Sequence, residues 1–160
     1  MSAIATARAT LADLAKTDGK AELIGGWIVR LMATGHRPSR VAGRLFRSLD
    51  DHAEASGGFA YTDNVGYGVS ELTSGRESFS PDASYFPGPA PENDMSFIEG
   101  PPAFAAEVRS ESDYGRAAET ALAAKRADYF EAGTQIVWDV DPVNNNGFSG
   151  VDAIPAMLRG

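Results

Sequence analysis

The chain contains no cysteine in its 160 residues. That removes a disulfide scaffold, a thiolate zinc site and a cysteine nucleophile together. No apolar run approaches the length needed to span a bilayer. Residues 1–16 lack the hydrophobic core of a signal peptide, so a cytoplasmic protein with no membrane contact is expected. Positive charge is also scarce: Lys and Arg number 14 against 22 Asp and Glu, a formal net charge of −8. The molecule is therefore no general binder of polyanions, and any nucleic-acid contact must be local. The motifs of several enzyme classes are missing as well. There is no GxSxG elbow, HExxH helix, GxxxxGK loop or GxGxxG turn. The only histidines are His36 and His52. His52 reads as a helix-surface residue and His36 as a loop residue before a helix.

What is present is an ordinary globular composition, 43% hydrophobic and 22% charged, which suits a packed core rather than a disordered chain. The length suits one domain, residues 1–160, with a core over about 20–142 and a short tail over 143–160. Thr10 can cap a short first helix that carries Leu11 and Leu14. Ala21-Glu22-Leu23-Ile24 and Trp27 to Met32 flank Gly25-Gly26, a hairpin signal. A helix is predicted from Pro38 to about Ser56, stopped by Gly57-Gly58, with Val41, Leu45 and Leu49 on its buried face. Strand-like pieces follow at 59–61, 66–69 and 78–86. Residues 87–102 hold five prolines and read as a long loop. A strand over Ala103–Arg109, a helix over Tyr114–Ala132 and a strand over Gln135–Val140 make a crossover unit. The fold class is therefore α/β, a central mixed sheet flanked by helices.

Two acids stand out on this framework. Asp82 follows Pro81 at a strand start. Glu107 sits where a core strand would carry an aliphatic residue, and a buried carboxylate there needs a cation or a metal. Asp82 and Glu107 could hold Mg²⁺ or Mn²⁺, with the carbonyl of Val108 as a third oxygen. Such an ion would activate water and absorb charge on a phosphodiester. Arg109 shares the strand face of Glu107 by the period of two, and holds phosphate well but cannot act as a base. Lys125 falls on the helix stripe Ala118, Ala121, Leu122, Lys125, Tyr129, which should face the sheet. Glu22, between apolar neighbours, is a third carboxylate. Each has a plainer reading. Pro-Asp commonly makes a turn, Lys125 can snorkel, Glu22 can be a charged hairpin end, and Glu107 can be an ion-pair partner of Lys125 or an arginine with no metal.

These residues resemble the Uma-two family of the restriction-endonuclease-like PD-(D/E)XK superfamily. Glu22-Leu23-Ile24-Gly25-Gly26, then Met32 and His36, resembles its opening, and Pro81-Asp82 its first catalytic strand. Glu107-Val108-Arg109-Ser110-Glu111-Ser112-Asp113 resembles its Glu-Val-x-Ser-Pro-Ser-Asp signature, with Glu111 in place of proline. Lys125, Tyr129, Ala132-Gly133 and Val137 to Pro142 resemble its helix and last core strand. The resemblance implies a metal-dependent endonuclease core built on Asp82 and Glu107, with Glu22 and Lys125 as accessories. DNA is the expected partner of a catalytic site, with a homodimer left open. The alternative is a non-catalytic module that keeps the fold, favoured by the acidic charge, by arginine where the triplet usually has lysine, and by the short tail after Pro142. Arg37, Arg40, Arg44 and Arg47 step along one helix face opposite Val41 and Leu45. They form either a phosphate-contact ridge or a solvated charged face.

Overall fold

The computed structural model describes residues 7–144 and the backbone of 148–149. A short helix, α1 (Leu11–Ala15), opens with a capping box. The Thr10 hydroxyl accepts from the Asp13 amide, and the Asp13 carboxylate accepts from the Thr10 amide at 2.8 Å. β1 (Ala21–Ile24) and β2 (Trp27–Arg30) form the expected antiparallel hairpin. Gly25 and Gly26 have φ of +60° and +79°, which the mirror-image hairpin turn demands and glycine adopts freely.

α2 (His36–Ser56) begins two residues before the expected Pro38. Proline is tolerated there because first-turn N–H groups have no intrahelical acceptor. There follow β3 (Phe59–Tyr61), β4 (Tyr67–Gly68), β5 (Ser78–Phe79), β6 (Ala83–Phe86), β7 (Ile98–Glu99) and β8 (Phe104–Val108). α3 (Arg116–Ala132), β9 (Ile136–Val140) and β10 (Phe148–Ser149) complete the order.

The central sheet runs β10-β9-β8-β6-β3. β8 and β9 are parallel, joined by the α3 crossover, and the other neighbours are antiparallel. The sheet is thus mixed, as expected. Period-two alternation divides its residues. Phe104, Ala106 and Val108 of β8 join Ile136, Trp138 and Val140 of β9 under α2, against Leu49 and Ala53. Ala105 and Val137 point to the other face and meet Tyr129 of α3, with Tyr67, Phe79 and Ile98 from a three-stranded sheet. Glu107 and Asp139 lie side by side in register on that second face.

Three details differ from the sequence reading. The 78–86 segment is two strands in two sheets, broken at Ser80-Pro81-Asp82. Pro81 has no N–H to give a ladder, and the Ser80 amide turns to Glu22 instead, at 2.9 Å. The long 87–102 loop contains β7, paired parallel to β4; two residues are too few to show a period. β10 adds an antiparallel edge to β9 in the tail that reads weakly in sequence. Of the expected short tail, residues 145–147 and 150–160 lie outside the described residues. Among the described residues no helix is long and apolar enough to cross a membrane.

Leu49 is 2% exposed and is the deepest residue that α2 sends into the sheet. Leu49→Ala should lower unfolding free energy by about 2–5 kcal/mol, read as a shifted urea midpoint with an unchanged slope.

Candidate active site

The break before β6 places Asp82. One step beyond the Ala83–Ala106 pair, it comes opposite Glu107. Its amide donates to the Ala106 carbonyl at 3.0 Å, and its Oδ2 accepts from the Val108 amide at 2.7 Å. Its Oδ1 is 2.9 Å from Lys20 Nζ, and Lys20 also pairs with Asp63.

Glu107 is compensated from α3. Its Oε1 accepts from the Tyr129 hydroxyl at 2.6 Å and lies 2.9 Å from Lys125 Nζ. The same ammonium lies 3.0 Å from Oε1 of Glu22. Glu22 is no exposed hairpin end. Its side chain is 3% exposed, and it also holds Arg76 at 2.6 Å and the Ser80 amide. Arg76 in turn reaches Asp128 at 2.9 Å. Glu22, Asp82, Glu107, Lys20 and Lys125 all line one open cleft of about 450 Å³. Its apolar walls come from β2 and the segment after it, with Val29 and Met32, and from α3, with Ala121 and Leu122.

Arg109 is on the expected face and also lines the cleft, but its guanidinium pairs with acids outside it. It lies one residue past β8, and Asp139 takes its guanidinium through two bonds of 2.8 Å, with Glu119 as a further partner. Arg126 also pairs with Asp139. Asp139 is a buried acid immediately beside Glu107 in the sheet, so it captures the nearest arginine. Val108 meets Asp82 through its N–H. Arg40, Arg44 and Arg47 stand exposed on α2, and Arg37 reaches the Pro142 carbonyl at 3.3 Å. His36 opens α2, and His52 packs edge-on against Tyr85 at 5.0 Å between ring centroids.

The electrostatics separate the two inner carboxylates. Burial, then the neighbouring Asp82 and Glu22 charges, raise the Glu107 pKa to about 7 against the pull of Lys125. Burial acts on Glu22 in the same sense, but Lys125, Arg76 and the Ser80 amide outweigh it and hold Glu22 at about 2. Burial alone would favour neutral Lys125. Glu107 and Glu22 more than offset it, so its pKa is raised and it stays a cation at any working pH. Lys125 can therefore stabilise charge but cannot serve as a base. Among the described residues, no three acidic or histidine side chains stand together as a ready metal cage.

Sequence reasoning named Glu22, Asp82, Glu107, Val108, Arg109 and Lys125, and the fold brings all six to one cleft. It missed Lys20, Asp63 and Arg76. Lys20 lies just ahead of β1 and Arg76 just ahead of β5; neither location carries a periodic signal.

The two glutamates should leave opposite marks on stability in the metal-free protein. Glu107 is raised, so its contribution is fully present below about pH 4.5 and is lost as pH rises through about 7. Glu22 is lowered, so its contribution is present above about pH 4.5 and lost as pH falls toward 2. Urea unfolding of wild type and Glu107→Gln in EDTA should show the wild type losing ground steadily between pH 5 and 7. A pH-independent difference would contradict the assignment.

The sequence matches the family described as Uma2, putative restriction endonuclease, over residues 8–146. Among curated proteins none matches. A solved structure of a putative nuclease belonging to DUF820, from Anabaena variabilis ATCC 29413, superposes with a TM-score of 0.67. The superposition covers 94% of this chain and 91% of that one at 17% identity, so the likeness is one of fold. With its mixed sheet, its flanking helices and a match over most of its length, the chain belongs to the Uma2 family.

Proposed function

We propose that this protein is a nuclease that hydrolyses DNA phosphodiester bonds with Mg²⁺ or Mn²⁺ held by Asp82 and Glu107. The observation that carries the reading is the placing of these two carboxylates opposite each other on adjacent strands at one cleft, with Glu107 destabilised as an anion. The family description favours the same chemistry, but a fold hosts many reactions and the argument rests on the site.

The donors suit a hard cation. Magnesium needs only one or two carboxylates and keeps several waters, so a third acid is not required. Among the described residues, Glu107 Oε2 makes no hydrogen bond. The Val108 carbonyl would add a third oxygen, on a residue anchored to Asp82 through its amide. When bound, such an ion supplies an activated water and neutralises charge building on the phosphate.

The chain's own groups do the rest. Tyr129 fixes the orientation of Glu107 through its hydroxyl. Glu22 tethers Lys125, which remains protonated and offers its charge to the phosphate. Lys20 neutralises Asp82 in the free protein and sits where it can turn to the substrate. Arg109, paired with Asp139 and Glu119, lines the cleft wall and holds the neighbouring strand in place.

One observation favours a second reading, a non-catalytic interaction module with this fold. Both Asp82 oxygens already have donors, Lys20 and the Val108 amide, and Glu107 already has Lys125. An acidic pair so compensated is stable without an ion.

Two measurements separate the readings. Incubated with Mn²⁺ or Mg²⁺, the protein should nick plasmid DNA, and Asp82→Ala or Glu107→Ala should abolish cleavage. Lys125→Ala should lower the rate by about 10²–10³. The melting temperature should climb with Mn²⁺ by mass action, more at pH 8 than at pH 6, because Glu107 must lose its proton to coordinate. A metal-insensitive melt, with cleavage equal in wild type and both alanine variants, would leave the module.

A further inference from the structure

A second, smaller cavity of about 210 Å³ adjoins Asp82 on the side of α2, floored by Ser39, Ala42, Gly43 and Phe46 and closed by Thr62 and Val108. Its volume is below the usual range for a pocket that encloses a whole small molecule. It suits one unit of a longer chain. Gly43 is one of its lining residues on α2. A glycine inside a helix weakens the helix, and nothing in the fold requires this one: a Cβ there would meet no atom within 4 Å. A bare backbone position of this kind serves close approach by another molecule.

The surface around Gly43 is basic. Helix neighbours lie three and four residues apart, so Arg40 and Arg47 flank Gly43, and Arg44 continues the row. All three are exposed, and among the described residues no carboxylate partners any of them. Arg76, Arg109 and Arg126, by contrast, are each tied to an acid. The row also runs against the helix dipole. α2 has no acid in its first turn and no base in its last; its arginines fill the N-terminal half, and Asp50, Asp51 and Glu54 fill the C-terminal half. That arrangement destabilises a helix. A free cationic row, a glycine without a packing reason and a reversed charge order in a chain of net charge −8 coincide on one helix, whose Gly43 lines the cavity together with Asp82.

We infer that this face of α2, Arg40, Gly43, Arg44 and Arg47, is the track on which the sugar-phosphate backbone of a nucleic-acid strand lies as one unit enters the cavity beside Asp82. The inference rests on the nuclease reading and names its substrate-binding surface. The arginines contact phosphates, and the missing side chain at Gly43 lets the strand descend to the cavity. Arg37 lies apart from the track, since its guanidinium turns to the Pro142 carbonyl. Such contacts position a strand without reading its sequence.

The test is fluorescence anisotropy of a labelled oligonucleotide, single-stranded and duplex, in EDTA at a series of salt concentrations. The variants are Gly43→Leu and the triple Arg40→Gln, Arg44→Gln, Arg47→Gln. The triple variant should bind at least about tenfold more weakly, with the salt slope reduced by about 3. Gly43→Leu should raise the melting temperature, because leucine favours helix, yet weaken binding. The two effects have opposite signs, so lost binding cannot be ascribed to misfolding. Unchanged affinity and salt slope in the triple variant, or no binding by wild type at low salt, overturns the inference. So does Gly43→Leu with a raised melting temperature and full affinity. So does arginine-dependent binding to anionic phospholipid vesicles without oligonucleotide binding. The Mn²⁺-induced rise in melting temperature should survive in both variants. If that rise is absent from wild type while the arginines still govern binding, the metal reading fails and the track stands. If the rise is present and the arginines do not matter, the track alone fails.

Discussion

The Lys125 ammonium lies within 3.0 Å of both Glu22 and Glu107, and the cleft depends on that shared cation. Glu22 comes from the first hairpin, Glu107 from the middle of the central sheet, and Lys125 from the crossover helix. None of the carboxylates could be buried alone, since an unpaired buried charge costs several kcal/mol, about 3–5 when its partner is removed. One lysine therefore ties three separate elements together through charge. Arg76 extends the tie from Glu22 to Asp128, and the Tyr129 hydroxyl donates to the same Glu107 oxygen that Lys125 meets.

The compensation is uneven between the two inner glutamates. Glu22 has enough cationic and amide partners to remain firmly ionised. Glu107 has fewer and sits near two other acids, so its proton is held to about neutral pH. Asp139, one strand over, shows the opposite outcome. With Arg109 and Arg126 both upon it, it is fully balanced and structural. Two neighbouring acids on one sheet face thus differ in how many cations reach each.

The sheet converts this charge arrangement into geometry. Alternation under α2 uses apolar residues at every second position of β8 and β9, which leaves the other face free for Glu107 and Asp139. Pro81 ends the previous strand pairing and lets Asp82 enter opposite Glu107. On the α2 side, Gly43 lines a small cavity with Asp82, and exposed arginines stand on the same helix outside the packed core.

Local chemistry made much of this legible in the sequence. The glycine pair specifies the hairpin, the four-residue spacing of Val41, Leu45 and Leu49 specifies the buried face of α2, and strand-helix-strand specifies a parallel crossover. Glu107 in an apolar strand announces a compensated charge, and Lys125 on the inward stripe of α3 names its partner. β7 escaped because two residues are too few to show a period. The identity of the other cations escaped for a different reason. Lys20 reaches Asp82 across 62 positions and Arg76 reaches Glu22 across 54. Which cation meets which acid is set by strand register and by the packing of loops that carry no repeat. The sequence determined the elements and the acids that need partners. Only the tertiary structure decided that Arg109 belongs to Asp139 and that Lys20 guards Asp82, because a side chain pairs with the charge that folding brings nearest.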